Sequence, residues 1–434
     1  MEDKINIRKT ALSVLCRIES VGQYSNIALD SAIERAGLKG QDRAFLTVLI
    51  YGVIERKITL DHIINGLSSI PPSKIESDTR NALRLGLYQL AYLDKIPDHA
   101  AINESVLLVN RRSKGFVNAI LRSFVRNGKN IVLPDAEKDF SEYLSVKYSV
   151  SRELCDRFCR DMGNARAESV IAAMNESPFI TIRVNTLKIS REEMLKKLSD
   201  AGIDARETKY SKSGIRLCKR VAYSDIPGSG SGLFIVQDEA SQICAEVLDA
   251  RSGETLIDAC ACPGGKSFSS AMLMQNEGRI CSFDLHESKL SLIEKGAERL
   301  GISIIETAEK DGRVFDETLS EIADRVLCDI PCSGLGVIAK KPDIRYKSLS
   351  DIERLPDIQL AIALNCIKYI KNGGVMVYSS CTLLPAENEE NVKRIIECSG
   401  DVELMPFKVG GREIKDGMLT LYPDTDGTDG FFIA

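Results

Sequence analysis

The stretch Thr255–Ser267, TLIDACACPGGKS, decides the fold. A short apolar run stops on Asp258, a Pro-Gly-Gly turn follows, and the chain then enters a helical pattern. Strand, tight turn and helix in that order open a doubly wound sheet. Downstream the pattern repeats. RICSFDL, ISIIETA, RVLCDI, GVMVYSS and a terminal GFFIA read as strands, with amphipathic segments such as ESKLSLIEKGAERL and DIQLAIALNCIKYIK between several of them. Residues 233–434 are therefore expected to form an α/β doubly wound, Rossmann-like domain with ligands at the carboxyl ends of its strands.

The strand tips hold the reactive residue types. Gly265-Lys266-Ser267 ends like a phosphate-binding loop, but the position five residues before Gly265 holds Cys260 where that loop needs glycine. A Pro-Gly-Gly turn at a helix N-terminus also suits the amino-acid part of a nucleoside cofactor. Asp284 ends the second strand, where an acid can bind both ribose hydroxyls, and Asp311, after the third, can accept from an adenine amino group. The fourth tip is Asp329-Ile330-Pro331-Cys332 and the fifth Ser380-Cys381-Thr382. Neighbouring tips would bring two thiols and a carboxyl into one pocket, and the residues alone do not rank the thiols as nucleophiles. A helix start expected near Pro385 would favour a thiolate at Cys381.

Upstream the texture differs. Residues 1–132 read as helices: Ala11, Val14, Leu15 and Ile18 share a face, as do Leu83, Leu87, Leu90 and Ala91. In NRRSKGFVNAILRSFVRNGK, Val117, Ile120, Leu121 and Phe124 form an apolar stripe, and Arg122, Arg126 and Lys129 lie on the other side. Arg111, Arg112 and Lys114 precede them, and no acidic residue occurs between Ser105 and Asn130, which fits a phosphate-binding surface. Residues 1–130 carry 19 Lys and Arg against 13 Asp and Glu, a net +6, while the remainder carries 38 against 49, a net −11. A basic front half on an acidic body suggests a polyanion-contacting module joined to something else.

IVLPDAEKDF reads as a linker, and residues 140–232 as a helical segment leading into a small α+β unit. That unit comprises FITIRVNT, a helix capped by Ser190 and GIRLC; PGSGSG, Pro227–Gly232, reads as a flexible joint after it.

At 434 residues, with 44% apolar and 27% charged residues, the chain is expected to fold as two or three soluble domains. No apolar run approaches the roughly 20 residues of a membrane span, and Met1–Thr10 lacks a signal-peptide core, so a cytoplasmic location is expected. Thirteen cysteines and three scattered histidines show no zinc-ligand spacing, and no metal is expected.

DACACPGGKS, FDLH, CDIPCSGLGVIAKKPDIRY, YSSCTLLPAENEENV and GTDGFF together resemble the motif series of the RNA cytosine-C5 methyltransferases of the Sun family. RKTALSVL, QDRAFLTVLIYGVIERK and KGFVNAILR resemble a NusB-like RNA-binding domain, the fusion found in the bacterial branch known as RsmB, Sun or Fmu. The resemblance covers nearly the whole chain. It implies an all-α NusB-like domain, an RRM-like α+β unit and a class I methyltransferase domain. S-adenosyl-L-methionine is implied in the loop Cys260, Ala261, Cys262, Pro263, Gly264, Gly265 and Lys266, with Asp284, Asp311 and Asp329 also in contact with cofactor or target base. The resemblance ranks the thiols: Cys381 is implied as the nucleophile that adds to cytosine C6, Cys332 as an aid to product release, and Asp329 as the contact to N3. Lys340 and Lys341 join the expected RNA contacts. The implied partner is 16S rRNA, unassembled or partly assembled, met by a monomer, with cytosine 967 as target.

Departures from the family pattern are Cys262, Ser267, Ile330 and Ala339; none removes a reacting group. Competing readings are the same chemistry on tRNA or 23S rRNA, an inactive RNA-binding assembly factor, and an ATP-dependent remodeller resting on Gly265-Lys266-Ser267 alone.

Overall fold

The computed structural model describes residues 5–434; the first four residues of the Met1–Thr10 stretch lie outside them. The chain packs as two compact units. One runs to Ile171 and also takes in Lys341–Leu349; the other comprises Ala172–Lys340 and Ser350–Ala434.

The first unit is built of helices, with no strand among its described residues. In Lys114–Arg126 the buried residues are Val117, Ile120, Leu121 and Phe124, as the apolar spacing predicts. They join one core with Leu49, Ile50, Leu83 and Leu87 from neighbouring helices. Residues 140–171, grouped by sequence with the α+β segment, pack here, and so does a segment no periodicity announced. Pro342–Tyr346 forms a short 3-10 helix whose Arg345 is 2% exposed. Its guanidinium donates to the carbonyls of Glu55 at 3.0 Å and Tyr148 at 3.2 Å, each the last residue of its helix. Ser25 Oγ donates to Asp343 at 2.6 Å, and Tyr346 OH donates to the Ile54 carbonyl.

The second unit holds two main sheets. The smaller contains β1 (Thr181–Val184), β2 (Ala205–Glu207), β3 (Gly214–Leu217) and β4 (Phe234–Val236), antiparallel in the order β2-β3-β1-β4. The helix Arg191–Asp200 starts with a capping box between Ser190 and Glu193. PGSGSG is not a free joint. The chain after it returns to this sheet as β4, and an added Cβ at Gly232 would lie 2.1 Å from the Arg299 carbonyl oxygen. Buried Asn185 donates to the carbonyls of both Gly232 and Leu300 at 2.9 Å, which pins the turn to a helix end.

The larger sheet contains β5 (Thr255–Asp258), β6 (Arg279–Asp284), β7 (Ile305–Glu309), β8 (Ala323–Asp329) and β9 (Ile370–Ser380), all parallel where they pair. A hairpin of β10 (Phe407–Val409) and β11 (Arg412–Ile414) stands apart, and β12 (Leu419–Leu421) and β13 (Phe431–Ile433) add antiparallel strands, giving the order β12-β13-β9-β8-β5-β6-β7. From β5 the chain winds outward through β6 and β7, then returns to β8 on the other side. The β5/β8 boundary is thus the switch point, where such sheets bind ligands. The sheet interior is apolar on both faces, with Ile257, Val326, Leu256 and Leu327 buried.

Arg345→Ala removes two hydrogen bonds from a charged donor inside the first unit. Loss of about 2–4 kcal/mol of stability is expected, read as a lower denaturant midpoint of the helical signal.

Candidate active site

The β8 and β9 ends place the key side chains by register. Asp329 stands opposite Ser379, whose Oγ donates to Asp329 Oδ1 at 2.7 Å. Lys266, in the first turn of the helix after β5, donates from Nζ to Asp329 Oδ2 at 2.7 Å. The side chains are 13% and 28% exposed, so the pair lies largely out of water. Burial disfavours the ammonium, but Asp329 outweighs that, with Cys244 and Cys381 adding, and Lys266 is held above its ordinary range. The Phe431 ring lies 5.1 Å beneath the same ammonium.

Three residues past β8 and one past β9, the two thiols meet: Cys332 Sγ and Cys381 Sγ are 3.2 Å apart as free cysteines. Buried Glu387 accepts from Ser333 N at 2.9 Å, Ser333 Oγ at 2.5 Å and Gln359 Nε2 at 2.8 Å. Ser333 Oγ also meets Thr382 Oγ1 at 2.7 Å, and Gly336 N donates to the Cys381 carbonyl at 2.9 Å. Gly430 N in turn donates to the Gly336 carbonyl at 2.9 Å, and an added Cβ at Gly336 would sit 1.9 Å from the Gly430 oxygen. Only glycine admits that approach. The hydrogen bond with Cys381, followed by burial, holds the Cys332 thiol well above its ordinary range. The helix expected from Pro385 begins at Glu389 after a 3-10 turn, and Glu389 and Glu390 occupy its first turn. Positive charge beside Cys381 comes from Lys266 instead.

The loop after β5 turns at Gly264, whose φ is +100°, and the Cys262–Pro263 bond is cis. Ala261 N donates to the Phe283 carbonyl at 2.7 Å, fixing the loop to β6. Cys260 and Cys262 are thiols raised by burial. Ser267 Oγ turns inward to Asp258 Oδ2 at 2.6 Å and Ser282 Oγ at 2.9 Å. With Ser267 and Lys266 so engaged, the arrangement of a phosphate-binding loop is not formed. Burial pushes Asp258 up to about 7, Ser267 opposing and the Asp329 charge adding.

At the β6 tip, Asp284 Oδ1 accepts from His286 N at 3.1 Å while Lys289 stands 3.9 Å away, leaving acceptor capacity for a diol. Asp311 is clasped by Arg313, whose Nη2 donates to Oδ2 at 2.6 Å; that hydrogen bond, first, holds its carboxyl below the usual range. A glycine turn at a helix N-terminus and a partly engaged acid at the next tip fit an adenosyl cofactor with an amino-acid tail.

The predicted RNA contacts divide. Arg111, Arg112, Arg122 and Arg126 are exposed, Lys114 opens its helix half-buried, and Arg122 Nε donates to Asn118 at 2.9 Å. Lys129 pairs with Asp98 at 2.7 Å. Lys341 is exposed in the first unit. Lys340, in the second, lies 2.7 Å from both Asp238 and Asp429; burial disfavours its charge, the two carboxylates outweigh it, and the ammonium is raised. Ser379 and Glu387 escaped the sequence reading, although both lie in SSCTLLPAEN. Among the described residues, no group of three or more His, Cys, Asp and Glu could hold a metal, and no helix is long and apolar enough to cross a membrane.

A doubly wound sheet, a glycine turn at its switch point and paired thiols at its tips define the class: a methyltransferase of Rossmann-like fold. Residues 245–434 match the family model for 16S rRNA methyltransferase RsmB/F, residues 5–126 the NusB family, and residues 152–224 the ferredoxin-like domain of the RsmF/B-like methyltransferases. A relative from Bacillus subtilis (strain 168), a probable ribosomal RNA small subunit methyltransferase B, is 39% identical over 99% of this chain and 98% of its own. The ribosomal RNA small subunit methyltransferase B of Serratia proteamaculans (strain 568) is 32% identical over 100% and 99%. Among solved structures, PH0851 matches with a TM-score of 0.81 at 25% identity, over 100% of this chain and 99% of that one. A methyltransferase homologue from Pyrococcus horikoshii matches at 0.59 and 30% identity, over 67% and 96%. The chain belongs to the ribosomal RNA small subunit methyltransferase B family.

Asp258→Asn tests the buried acid. Because the folded pKa exceeds the unfolded one, the folded state holds the extra proton, and stability falls as pH rises from about 4 to 7. The variant should flatten that slope, as read by urea unfolding at several pH values.

Proposed function

We propose that the protein transfers a methyl group from S-adenosyl-L-methionine to C5 of a cytosine in 16S rRNA through a covalent Cys381 adduct. The observation that carries this reading is the 3.2 Å apposition of Cys381 and Cys332 beside the Lys266–Asp329 pair. C5 of cytosine is a poor nucleophile, so a thiolate must first add to C6 and move electron density to C5. Cys381 forms that S–C6 bond, and the Lys266 ammonium favours its thiolate. Asp329, held by Ser379 and Lys266, would accept a hydrogen bond from N3 once that atom has taken up a proton from solvent as the thiolate adds. S-adenosyl-L-methionine supplies an electrophilic methyl group when bound, and the loop from Cys260 to Lys266 with Asp284 and Asp311 would hold it. A base then takes the C5 proton, the C5–H electron pair re-forms the C5–C6 double bond, and the S–C6 bond breaks to return the thiolate. Cys332, kept protonated by burial and by Cys381, assists that release. The target base must leave its stack to reach these groups.

The basic residues of the helix Lys114–Arg126 and the preceding loop would meet the rRNA backbone, with a monomer acting on unassembled or partly assembled 16S rRNA. The family resemblance favours cytosine 967 as the target.

The test is methyl transfer from labelled cofactor to 16S rRNA, with the position read by bisulfite sequencing. Label in tRNA or 23S rRNA alone would overturn the substrate, and no cofactor binding in calorimetry would overturn the activity. Cys381→Ala should abolish transfer with cofactor affinity nearly intact; full activity would reverse the assignment of the thiols. Cys332→Ala should accumulate a protein–RNA adduct on a denaturing gel, and unchanged turnover without adduct would refute the release role.

A further inference from the structure

A recess lies in the second unit, sharing Gly336 with the cluster around the thiols. Its volume is about 130 Å³, and Phe179, Arg216, Asp238, Gly336, Lys340 and Asp429 are among its walls. This is small beside the roughly 300–1,000 Å³ of typical ligand sites, and suits one flat ring system.

Strand register builds the recess. Thr181 in β1 stands opposite Arg216 in β3, so Phe179, two residues earlier, is the diagonal neighbour of Arg216. The guanidinium carbon lies 4.3 Å from the Phe179 ring centroid. Phe179 nevertheless remains 44% exposed, whereas Phe158, Phe234 and Phe431 are nearly fully buried. An exposed ring whose partner face is covered by arginine is a preformed stacking surface. The other walls belong to the catalytic loops. Gly336 lies four residues beyond Cys332 and donates to the Cys381 carbonyl, and Asp429 lies immediately before Gly430, which bonds Gly336.

Charge narrows the choice of ligand. Lys340 is bonded to Asp238 and Asp429, each at 2.7 Å, and Glu176 adds a further carboxylate to the lining. Phosphate would meet three carboxylates there against two cations, one of them already paired. An uncharged aromatic ring meets no such penalty.

We propose that this recess receives a nucleobase of the substrate RNA, adjacent in sequence to the target cytosine and stacked on Phe179 with Arg216 behind it. The inference rests on the RNA-methylation reading and adds a specificity-determining contact to it. A base held there fixes which neighbouring cytosine reaches Cys381, and Phe179 acts as a positioning residue.

The experiment uses the full chain and an RNA fragment spanning the methylated cytosine, with abasic sites introduced singly at each flanking position. Phe179→Ala should raise KM for the RNA about tenfold, the size of one lost base–aromatic stack, while cofactor affinity in calorimetry stays unchanged. Phe179→Trp should restore KM. One abasic position should cost the native protein a similar factor and cost Phe179→Ala nothing further. An unchanged KM in Phe179→Ala, or additive losses at every abasic position, would overturn the proposal. Absence of methyl transfer by the native protein would instead remove the underlying reading, so the two failures are distinguishable.

Discussion

The Lys266–Asp329 ion pair joins the helix after β5 to the end of β8, across the boundary where the sheet changes winding direction. Two charges largely withdrawn from water gain from each other only if their remaining hydrogen-bonding groups are also met. Here Ser379 supplies Asp329 with a second donor, and the Phe431 ring faces the ammonium. Breaking one partner would leave the other charge stranded among Cys244, Cys381 and Asp258. The Lys266 ammonium attracts negative charge on Cys381, and the Asp329 charge contributes to holding Asp258 protonated to about pH 7.

The thiols depend on a different device. Their loops arise 49 residues apart and are drawn together through a buried carboxylate. Glu387 takes donors from Ser333 in one loop and Gln359 in the helix Leu355–Lys368, while its own backbone carbonyl accepts from Tyr378 OH at 2.6 Å. A buried carboxylate with this many donors is a fixed point rather than a reactant. Gly336 and Gly430 then let the Cys332 loop and the β13 approach touch backbone to backbone. The apposition of the thiols thus comes from the groups around them.

Much of this was legible in the sequence because its signals are local. The apolar runs ending on Asp258, Asp284 and Asp329 gave the parallel strands, and the stripe of Val117, Ile120, Leu121 and Phe124 gave the helix that buries them. What escaped reading depends on distant partners. β4 is a three-residue strand defined by pairing with β1, so PGSGSG looked like a joint when it is a turn fastened by Asn185. The hairpin β10–β11 carries no alternation long enough to register. The residues after Lys341 carried no periodic signal; Arg345 serves the helical unit, because its guanidinium finds two helix-end carbonyls. Lys340 read as a surface cation for the same reason: Asp238 and Asp429 lie 102 and 89 residues away in sequence.

Two neighbouring thiols create a problem that the charges resolve. At 3.2 Å, one sulfur must donate to the other, so ionising both at once is disfavoured by their mutual repulsion as well as by burial. The Lys266 interaction reaches Cys381, whereas Cys332 faces added repulsion from Glu387 and Asp329. These charges oppose ionisation of Cys332, while the Lys266 ammonium attracts negative charge on Cys381. The residues alone left the two thiols unranked, since both are cysteines at the ends of neighbouring strands, and only the family resemblance ranked them; the structural asymmetry lies in the charged groups that act on each. A thiolate paired with a thiol held at high pKa suits adduct chemistry, in which one sulfur must attack and later leave while its neighbour keeps a proton at hand. Under the proposed reaction, the difference in role between the thiols would follow from the charges around them rather than from any intrinsic difference between the two side chains.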